Sequence, residues 1–406
     1  MENLVKFLSV LFFTGLLLLA PYSNSAQAGV NCTTKFVASF EGGKLFMAGP
    51  TPLVELHGNF RQMGRQYGHL MSHKIKKLYY EGFERYLAGK KGATYKEMLE
   101  GCEAMYKNNP QYIREFFMGM SETSGLTLDK HKIINGIVLG YIMSAGCSGL
   151  GVWGDYDEGG KLIFGRNWDL PAKDLISLAP YFNVVVFNPE GTSNSVADFS
   201  YAGTVFFQTS MSAKGIFLEL QNAQMCDPKT YQRYTNNQLF SLLLDYSSMA
   251  EIRNGLESIR PSTGLIINAA GENAAYSYEM ASYDTKCRQD DKTGFVANSN
   301  HFLDPSWQNM PAFEAGEKYA CTVDRRCNLL KYAQKNKGKF TPESMMKLFD
   351  TTIPDGGPTF PDTGAIRTIY QIVATPGDLT VRLKLRGFSK NWQQIDLKPH
   401  FGISNN

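Results

Sequence analysis

Ser144-Ala145-Gly146-Cys147-Ser148-Gly149-Leu150-Gly151-Val152-Trp153-Gly154, followed after a short gap by Leu162-Ile163-Phe164-Gly165-Arg166-Asn167-Trp168-Asp169, is the stretch at which the chain changes texture. Upstream of it, residues 59–146 carry a helical pattern. Segments 81–87, 96–106, 112–120 and 128–144 are rich in helix formers with apolar residues three and four apart, and Ile133, Ile134, Ile137, Val138 and Tyr141 repeat at that spacing. The last segment runs into Ala145-Gly146, a helix-stop signal, directly before Cys147. Downstream, residues 149–154 and 162–165 read as two strands around the turn Asp157-Glu158-Gly159-Gly160.

Further strand-like runs follow at 183–187, 205–208, 215–220, 264–268, 275–280 and 294–297, and a last pair, 368–374 and 379–385, flanks Thr375-Pro376-Gly377-Asp378. Helical stretches lie between them at 237–259, 321–334 and 342–349, and Gly271-Glu272-Asn273 reads as a turn. Strands linked by hairpins and interrupted by helices, without strict β-α alternation, point to an α+β fold of antiparallel sheets covered by helices. The sequence shows no internal repeat.

At the N-terminus, Lys6 precedes an almost wholly apolar run from Phe7 to Ala20 and a polar stretch ending Ser25-Ala26-Gln27-Ala28, the order a signal peptide needs. The expected division is a leader at 1–28, a helical segment at 29–146 and a second unit at 147–406. The apolar run is shorter than the roughly 20 residues that cross a bilayer, so the mature chain is expected to be secreted or lumenal and without a stable membrane span. A charged fraction of 19%, an aromatic fraction of 13% and a net charge of +3 with no basic stripe speak for a packed globular chain and against a nucleic-acid partner. His69 and His73 lie four apart on a helical stretch, but no third ligand follows at a known spacing, and no metal or other cofactor is expected.

Seven cysteines, Cys32, Cys102, Cys147, Cys226, Cys287, Cys321 and Cys327, leave one over if the others pair as three disulfides in an oxidising compartment. Cys147 is the candidate for the odd one. It follows a glycine at a seam, where access is good and no Cβ obstructs the preceding bond. If the Gly146–Cys147 bond opens, Cys147 gains an α-amine with a reference pKa of about 7.7–8.0, suited to taking the proton of its own thiol. Folding the hairpin back brings Arg166 and Asp169 beside Cys147; the two are expected to pair there, Asp169 holding the new ammonium and Arg166 favouring thiolate. A surface Arg–Asp pair is the plainer alternative. Asn222 would serve if its side-chain N–H faces a developing oxyanion, and otherwise closes a strand.

Taken together, Cys147-Ser148, the glycine-rich turn and Gly165-Arg166-Asn167-Trp168-Asp169 resemble the N-terminal-nucleophile (Ntn) cysteine hydrolases, specifically the autoproteolytic acyltransferases similar to isopenicillin N acyltransferase. Bile-salt (choloylglycine) hydrolases and penicillin V acylases are more distant relatives in that resemblance. Ser212-Ala213-Lys214-Gly215, Gln221-Asn222, Ala297-Asn298-Ser299-Asn300-His301 and residues 58–68 continue it, the last matching the propeptide of the acyltransferase branch. The resemblance implies a four-layer αββα sandwich with a helical propeptide or small subunit at 29–146, self-cleavage between Gly146 and Cys147, and a heterodimer of the two fragments. It further implies hydrolysis or transfer of an acyl group from an amide, with Asn222 donating to the oxyanion, Asn298 binding near the nucleophile, and Arg326 in Asp324-Arg325-Arg326 matching a family arginine, or Arg325 if the alignment slips by one.

The expected substrate is a small amide with an apolar acyl group; Phe116, Phe117, Met118 and Met120 either line an approach to it or belong to the core. Two other readings stand beside this one. Cys147 could remain uncut and use His301 as base, as in papain-type thiol hydrolases. Alternatively the chain is a secreted binding protein with no catalysis.

Overall fold

In a computed structural model, the described residues are 34–143, 146–171, 178–205, 208–223, 236–261, 264–307 and 317–403. The segment 1–28 expected to be a leader, Cys32 and Cys226 lie outside them.

The chain opens with three strands, β1 (Thr34–Phe40), β2 (Gly43–Ala48) and β3 (Thr51–Gly58). Helices α1 (Phe60–Leu70) and α2 (Ser72–Leu78), a π-helical stretch Tyr79–Ala88, and helices α3 (Tyr95–Asn108), α4 (Gln111–Thr123) and α5 (Leu128–Met143) follow. The reading of 29–146 as a helical segment is therefore corrected over its first part. β3 is buried on both faces by Leu53, Val54 and Leu56 and pairs in parallel with a strand more than a hundred residues downstream, so neither alternation nor a local turn announces it. Asn59 starts α1 with a capping box to Gln62. α1 and α4 approach closely through glycines: a Cβ at Gly64 would stand 2.2 Å from the Phe116 carbonyl oxygen. Phe116, Phe117 and Met120 sit in this core.

The remaining strands are β4 (Gly146–Val152), β5 (Ile163–Pro171), β6 (Phe182–Pro189), β7 (Val196–Tyr201), β8 (Thr209–Ser212), β9 (Phe217–Asn222), β10 (Leu265–Ala270), β11 (Ala275–Met280), β12 (Thr285–Arg288), β13 (Phe295–Asn298), β14 (Ile366–Thr375), β15 (Thr380–Leu385) and β16 (Gln393–Asp396). They form two sheets, β1-β2-β3-β6-β7-β8-β9-β10-β11-β12 and β13-β4-β5-β14-β15-β16. Among the described strands every pairing is antiparallel except β3 with β6. Residues 206 and 207 of the strand expected at 205–208 lie outside the described residues, and β8 begins at Thr209. The single helix expected over 237–259 is two, α6 (Asn236–Asp245) and α7 (Met249–Ser258), because Ser248 caps a new start with Glu251.

α8 (Glu317–Lys335) and α9 (Pro342–Asp350) cover the six-stranded sheet, while the N-terminal helices with α6 and α7 lie on the ten-stranded one. The sheets meet through β4 against β9 and β13 against β11, giving the expected order helix, sheet, sheet, helix. Alternation along β4 and β5 divides their side chains between two cores. Leu150, Val152 and Ile163 pack under α8 and α9 with Leu329, Met345 and Phe349. Cys147, Phe164, Trp168 and Leu170 join the core between the sheets with Phe217 and Tyr370. No helix among the described residues is long and apolar enough to cross a membrane.

Candidate active site

Cys147 is the second residue of β4, opposite Trp168 on β5, and is 1% exposed. Both of its main-chain polar groups are held by side chains. Its N–H donates to Asn300 Oδ1 at 2.7 Å, and its carbonyl oxygen accepts from Arg325 Nη1. Its sulfur lies 3.7 Å from Arg166 Nη2 and 3.9 Å from the Leu220 carbonyl oxygen on β9. Burial pushes the thiol up to about 12, against the pull of Arg166 toward thiolate. So raised, the thiol is protonated at neutral pH.

Arg166 is fully buried between the sheets, where Nη2 donates to the Leu220 carbonyl oxygen at 2.9 Å and Nη1 to the Gln208 carbonyl and Thr209 Oγ1. Its Nε stands 3.4 Å from Glu219 Oε2, an ion pair without hydrogen-bond alignment. Burial works against its charge, but Tyr370, Glu219 and Cys147 raise its pKa overall. Glu219 is itself pushed upward by burial and restrained by Arg166.

The expected Arg166–Asp169 pair does not form. Residues three apart on a strand face opposite ways, so Arg166 points between the sheets and Asp169 toward α8. There Asp169 pairs with Arg325 at 3.1 Å and accepts from Thr368 Oγ1 at 2.6 Å. Burial raises its carboxyl to about 6 in spite of both partners. It also borders the bond before Cys147, since a Cβ at Gly146 would be 3.3 Å from the Asp169 Cβ.

Of the two adjacent arginines on α8, Arg325 reaches the site. Its Nη2 also donates to Asn300 Oδ1 at 2.8 Å, whereas Arg326 pairs with Asp290 at 2.7 Å. Asn298 ends β13 opposite Gly149, but its amide bonds Asn268, Ser277 and Arg288; Asn300, two residues on, is the one on the Cys147 N–H. Asn222 closes β9, buried, and its carbonyl oxygen accepts from Asn300 Nδ2 at 2.7 Å. By alternation its side chain shares a strand face with Leu218 and Leu220, the opposite one from Glu219. His301 is buried, its Nδ1 3.2 Å from Ser299 Oγ; burial, then Arg326, Arg325 and Arg288, push its imidazole down to about 4.

Glu219, Asn300, Arg325 and Thr368 are thus the site residues the motif reading missed or named only as an alternative. Glu219 carried a signal, since a carboxylate between Phe217 and Gln221 on one face of an otherwise apolar strand needs a buried cation. Cys102, Cys147, Cys287, Cys321 and Cys327 are all free thiols. Three disulfides among the other six cysteines are excluded, because four of those six are unpaired. Among the described residues there is no group of three side chains able to hold a metal.

No protein-family model matches the sequence, and no curated protein matches it. Among solved structures, the chain is similar to a mutant of conjugated bile acid hydrolase from Clostridium perfringens, at 14% identity and a TM-score of 0.43, over 64% of this chain and 95% of that one. It is also similar to a Caenorhabditis elegans ortholog of N-acylethanolamine-hydrolyzing acid amidase, at 15% identity and 0.42, over 57% and 93%. A third is penicillin V acylase from Agrobacterium tumefaciens, at 12% identity and 0.39, over 62% and 86%. Overlap of that degree does not carry chemistry from those proteins to this chain.

Proposed function

We propose that the chain is an autoproteolytic cysteine amidohydrolase that opens its own Gly146–Cys147 bond and then uses Cys147 as an N-terminal nucleophile on an amide with an apolar acyl group. One observation carries the reading. A buried cysteine at the start of a strand has its sulfur beside a guanidinium, its N–H on Asn300 and its carbonyl on Arg325, three partners from three different elements. Every buried main-chain group needs a partner, but here β13 pairs with β4 only from Gly149 onward, and side chains converge on Cys147 in its place.

In self-cleavage, the sulfur attacks the Gly146 carbonyl carbon and the C–N bond breaks as the Cys147 nitrogen takes a proton. The thioester then formed between Gly146 and sulfur is opened by water, leaving the Gly146 carboxylic acid, a free thiol and a free α-amine. That amine is born where Asn300 Oδ1 already accepts a hydrogen bond, so it starts out oriented. In turnover it takes the thiol proton, sulfur attacks the substrate acyl carbon, and the leaving amine departs with a proton. Water, or a second amine, then releases the acyl group.

Arg166 offsets the negative charge that builds on sulfur, and Glu219 supplies its counter-charge. Asp169 orients Arg325, which holds the Cys147 carbonyl. Asn222, the oxyanion donor the resemblance implies, has its side chain on the face of β9 opposite Glu219 and is not assigned that role; it meets the site through its carbonyl oxygen, which accepts from Asn300 Nδ2 at 2.7 Å. The preference for an apolar acyl tail rests on the aromatic surroundings of the site, where Trp168 packs on Tyr201 and Tyr370 at 5.2 and 5.1 Å. His301, held neutral at pH 7, is a weak base for the papain-type alternative. The apolar run from Phe7 to Ala20 followed by Ser25-Ala26-Gln27-Ala28 supports a secreted or lumenal compartment.

The test is intact mass and N-terminal sequencing of the protein beside a Cys147→Ala variant. The wild type should give a fragment beginning Cys147-Ser148-Gly149 and the variant should stay whole. Two whole chains refute the proposal.

A further inference from the structure

A line of buried polar side chains leads outward from Glu219, and no step of the proposed chemistry uses it. Glu219 Oε1 accepts from Gln221 Nε2 at 2.7 Å and from Asn268 Nδ2, its register partner on β10. Asn268 Oδ1 accepts from Asn298 Nδ2 at 2.5 Å, and Asn298 Oδ1 accepts from Ser277 Oγ at 3.1 Å and from Arg288 Nη2. Glu219, Asn268 and Asn298 are completely buried, so an amide turned the wrong way has no water to compensate it.

The ends of the line set its direction. A carboxylate only accepts and a guanidinium only donates, so one orientation of each amide satisfies every link, with both oxygens toward Arg288 and both NH2 groups toward Glu219. Arg288 has a second grip. Its Nε donates to Glu279 Oε1 at 3.1 Å, and Glu279, fully buried, also accepts from the Leu303 N–H at 2.8 Å, the Asp304 N–H at 3.0 Å and Trp307 Nε1 at 2.7 Å. That carboxylate therefore pins the loop leaving Asn300, the residue on the Cys147 N–H.

We infer that Arg288 is a positioning residue for the Cys147 site: through Asn298 and Asn268 it fixes the carboxylate of Glu219 against Arg166, and through Glu279 it holds the loop that carries Asn300. Its kinetic consequence rests on the amidohydrolase reading; its effect on Glu219 does not. Removing the terminal donor releases both amides. Asn268 then presents its carbonyl to Glu219 part of the time, which removes one hydrogen bond and adds a repelling dipole. Ionised Glu219 is disfavoured, and Arg166 loses part of the counter-charge that keeps its guanidinium at the sulfur. The charged and titratable groups around Glu219 are Arg166 on β5, Cys147 on β4 and Tyr370 on β14, and none of them is altered by changes at Arg288.

The experiment follows the Glu219 side-chain carboxyl by carbon-13 NMR titration in the full chain, its signal assigned by loss in Glu219→Gln. Arg288→Met and Asn298→Leu each cut the line at a different link, and Asn298→Leu leaves the Arg288–Glu279 grip intact should Arg288→Met fold poorly. Both should move the Glu219 midpoint up by about one pH unit, and Arg288→Lys, which keeps a donor, should restore most of that shift. On an N-acyl amide substrate the same two variants should lower kcat roughly tenfold with KM changed less than about twofold. An unmoved Glu219 midpoint in both overturns the inference whatever the turnover does. Absence of turnover in the wild type refutes the amidohydrolase reading alone, because the titration still decides the role of Arg288.

Discussion

Replacing Asp169 by asparagine should alter the pH dependence of stability in the direction opposite to that expected from an ion-pair count. Burial lifts the Asp169 carboxyl from 3.8 to about 6 although Arg325 and Thr368 both favour its charge. Between those pH values the folded chain keeps a proton that the unfolded chain has lost, so this group's contribution to stability falls as pH rises from about 4 to 6. A shift of about two units corresponds to about 3 kcal/mol. Asparagine has no proton to lose. Measured against wild type, the variant should therefore gain about 3 kcal/mol between pH 4 and pH 7, whatever its offset at pH 4. Counting the broken pair with Arg325 as about 3–5 kcal/mol lost gives the reverse, a deficit that grows with pH. The assay is urea unfolding at the two pH values for both proteins in a Cys147→Ala background, so that each remains one piece. Other titrating groups act equally on the two chains and cancel in the difference. A deficit that stays constant or widens from pH 4 to pH 7 refutes the reasoning.

Gly165→Ala should destabilise by about 1–3 kcal/mol, because the new Cβ would stand 2.2 Å from Phe349 Cε2 in the core under α9; a thermal melt checks it. The Glu55 carboxylate is held down at about 2 because bonds from His400, His57 and Lys44 outweigh the effect of burial. Its folded pKa is below the unfolded 4.5, so the stability it adds is complete above about pH 4.5 and is lost as pH falls toward 2; His400→Ala should lose less stability than wild type across that window in an acid titration followed by circular dichroism. His301→Ala should still cut before Cys147 and keep turnover within about tenfold of wild type, read by mass and initial rate, whereas loss of both would favour the papain-type mechanism.

What the sequence discloses about the site is what is local. Gly146-Cys147 and the hairpin to Asp169 are continuous in the chain, and their register follows from alternation and one turn. The same alternation already separates Arg166 from Asp169, three positions apart, although a shared motif invites pairing them. The choice between Arg325 and Arg326 is a question of which way α8 faces, settled by its packing on β4 and β13, which no motif encodes. Asn300 rather than Asn298 reaches Cys147 because β13 ends at Asn298 and the chain then bends toward Thr322, whose hydroxyl accepts from the Asn300 N–H. β1 to β3 escape a local reading for a related cause. Only β3 is buried throughout its first six residues, its burial comes from β6, and only the folded sheet brings the two together.

The parallel pairing of β3 with β6 bears on what a break before Cys147 would produce. Everything N-terminal to the break contributes three adjacent strands at one end of the ten-stranded sheet, joined to the remainder by main-chain hydrogen bonds from Leu53 to Gly58 and by the α1–α4 helix pair lying on it. Such a piece cannot be shed like a stopper, because its departure would strip a sheet to a bare edge and uncover an apolar layer. The two polypeptides would behave as a split protein, each incomplete without the other, and recombining them after separate synthesis would amount to folding the molecule from two strings rather than docking two finished bodies.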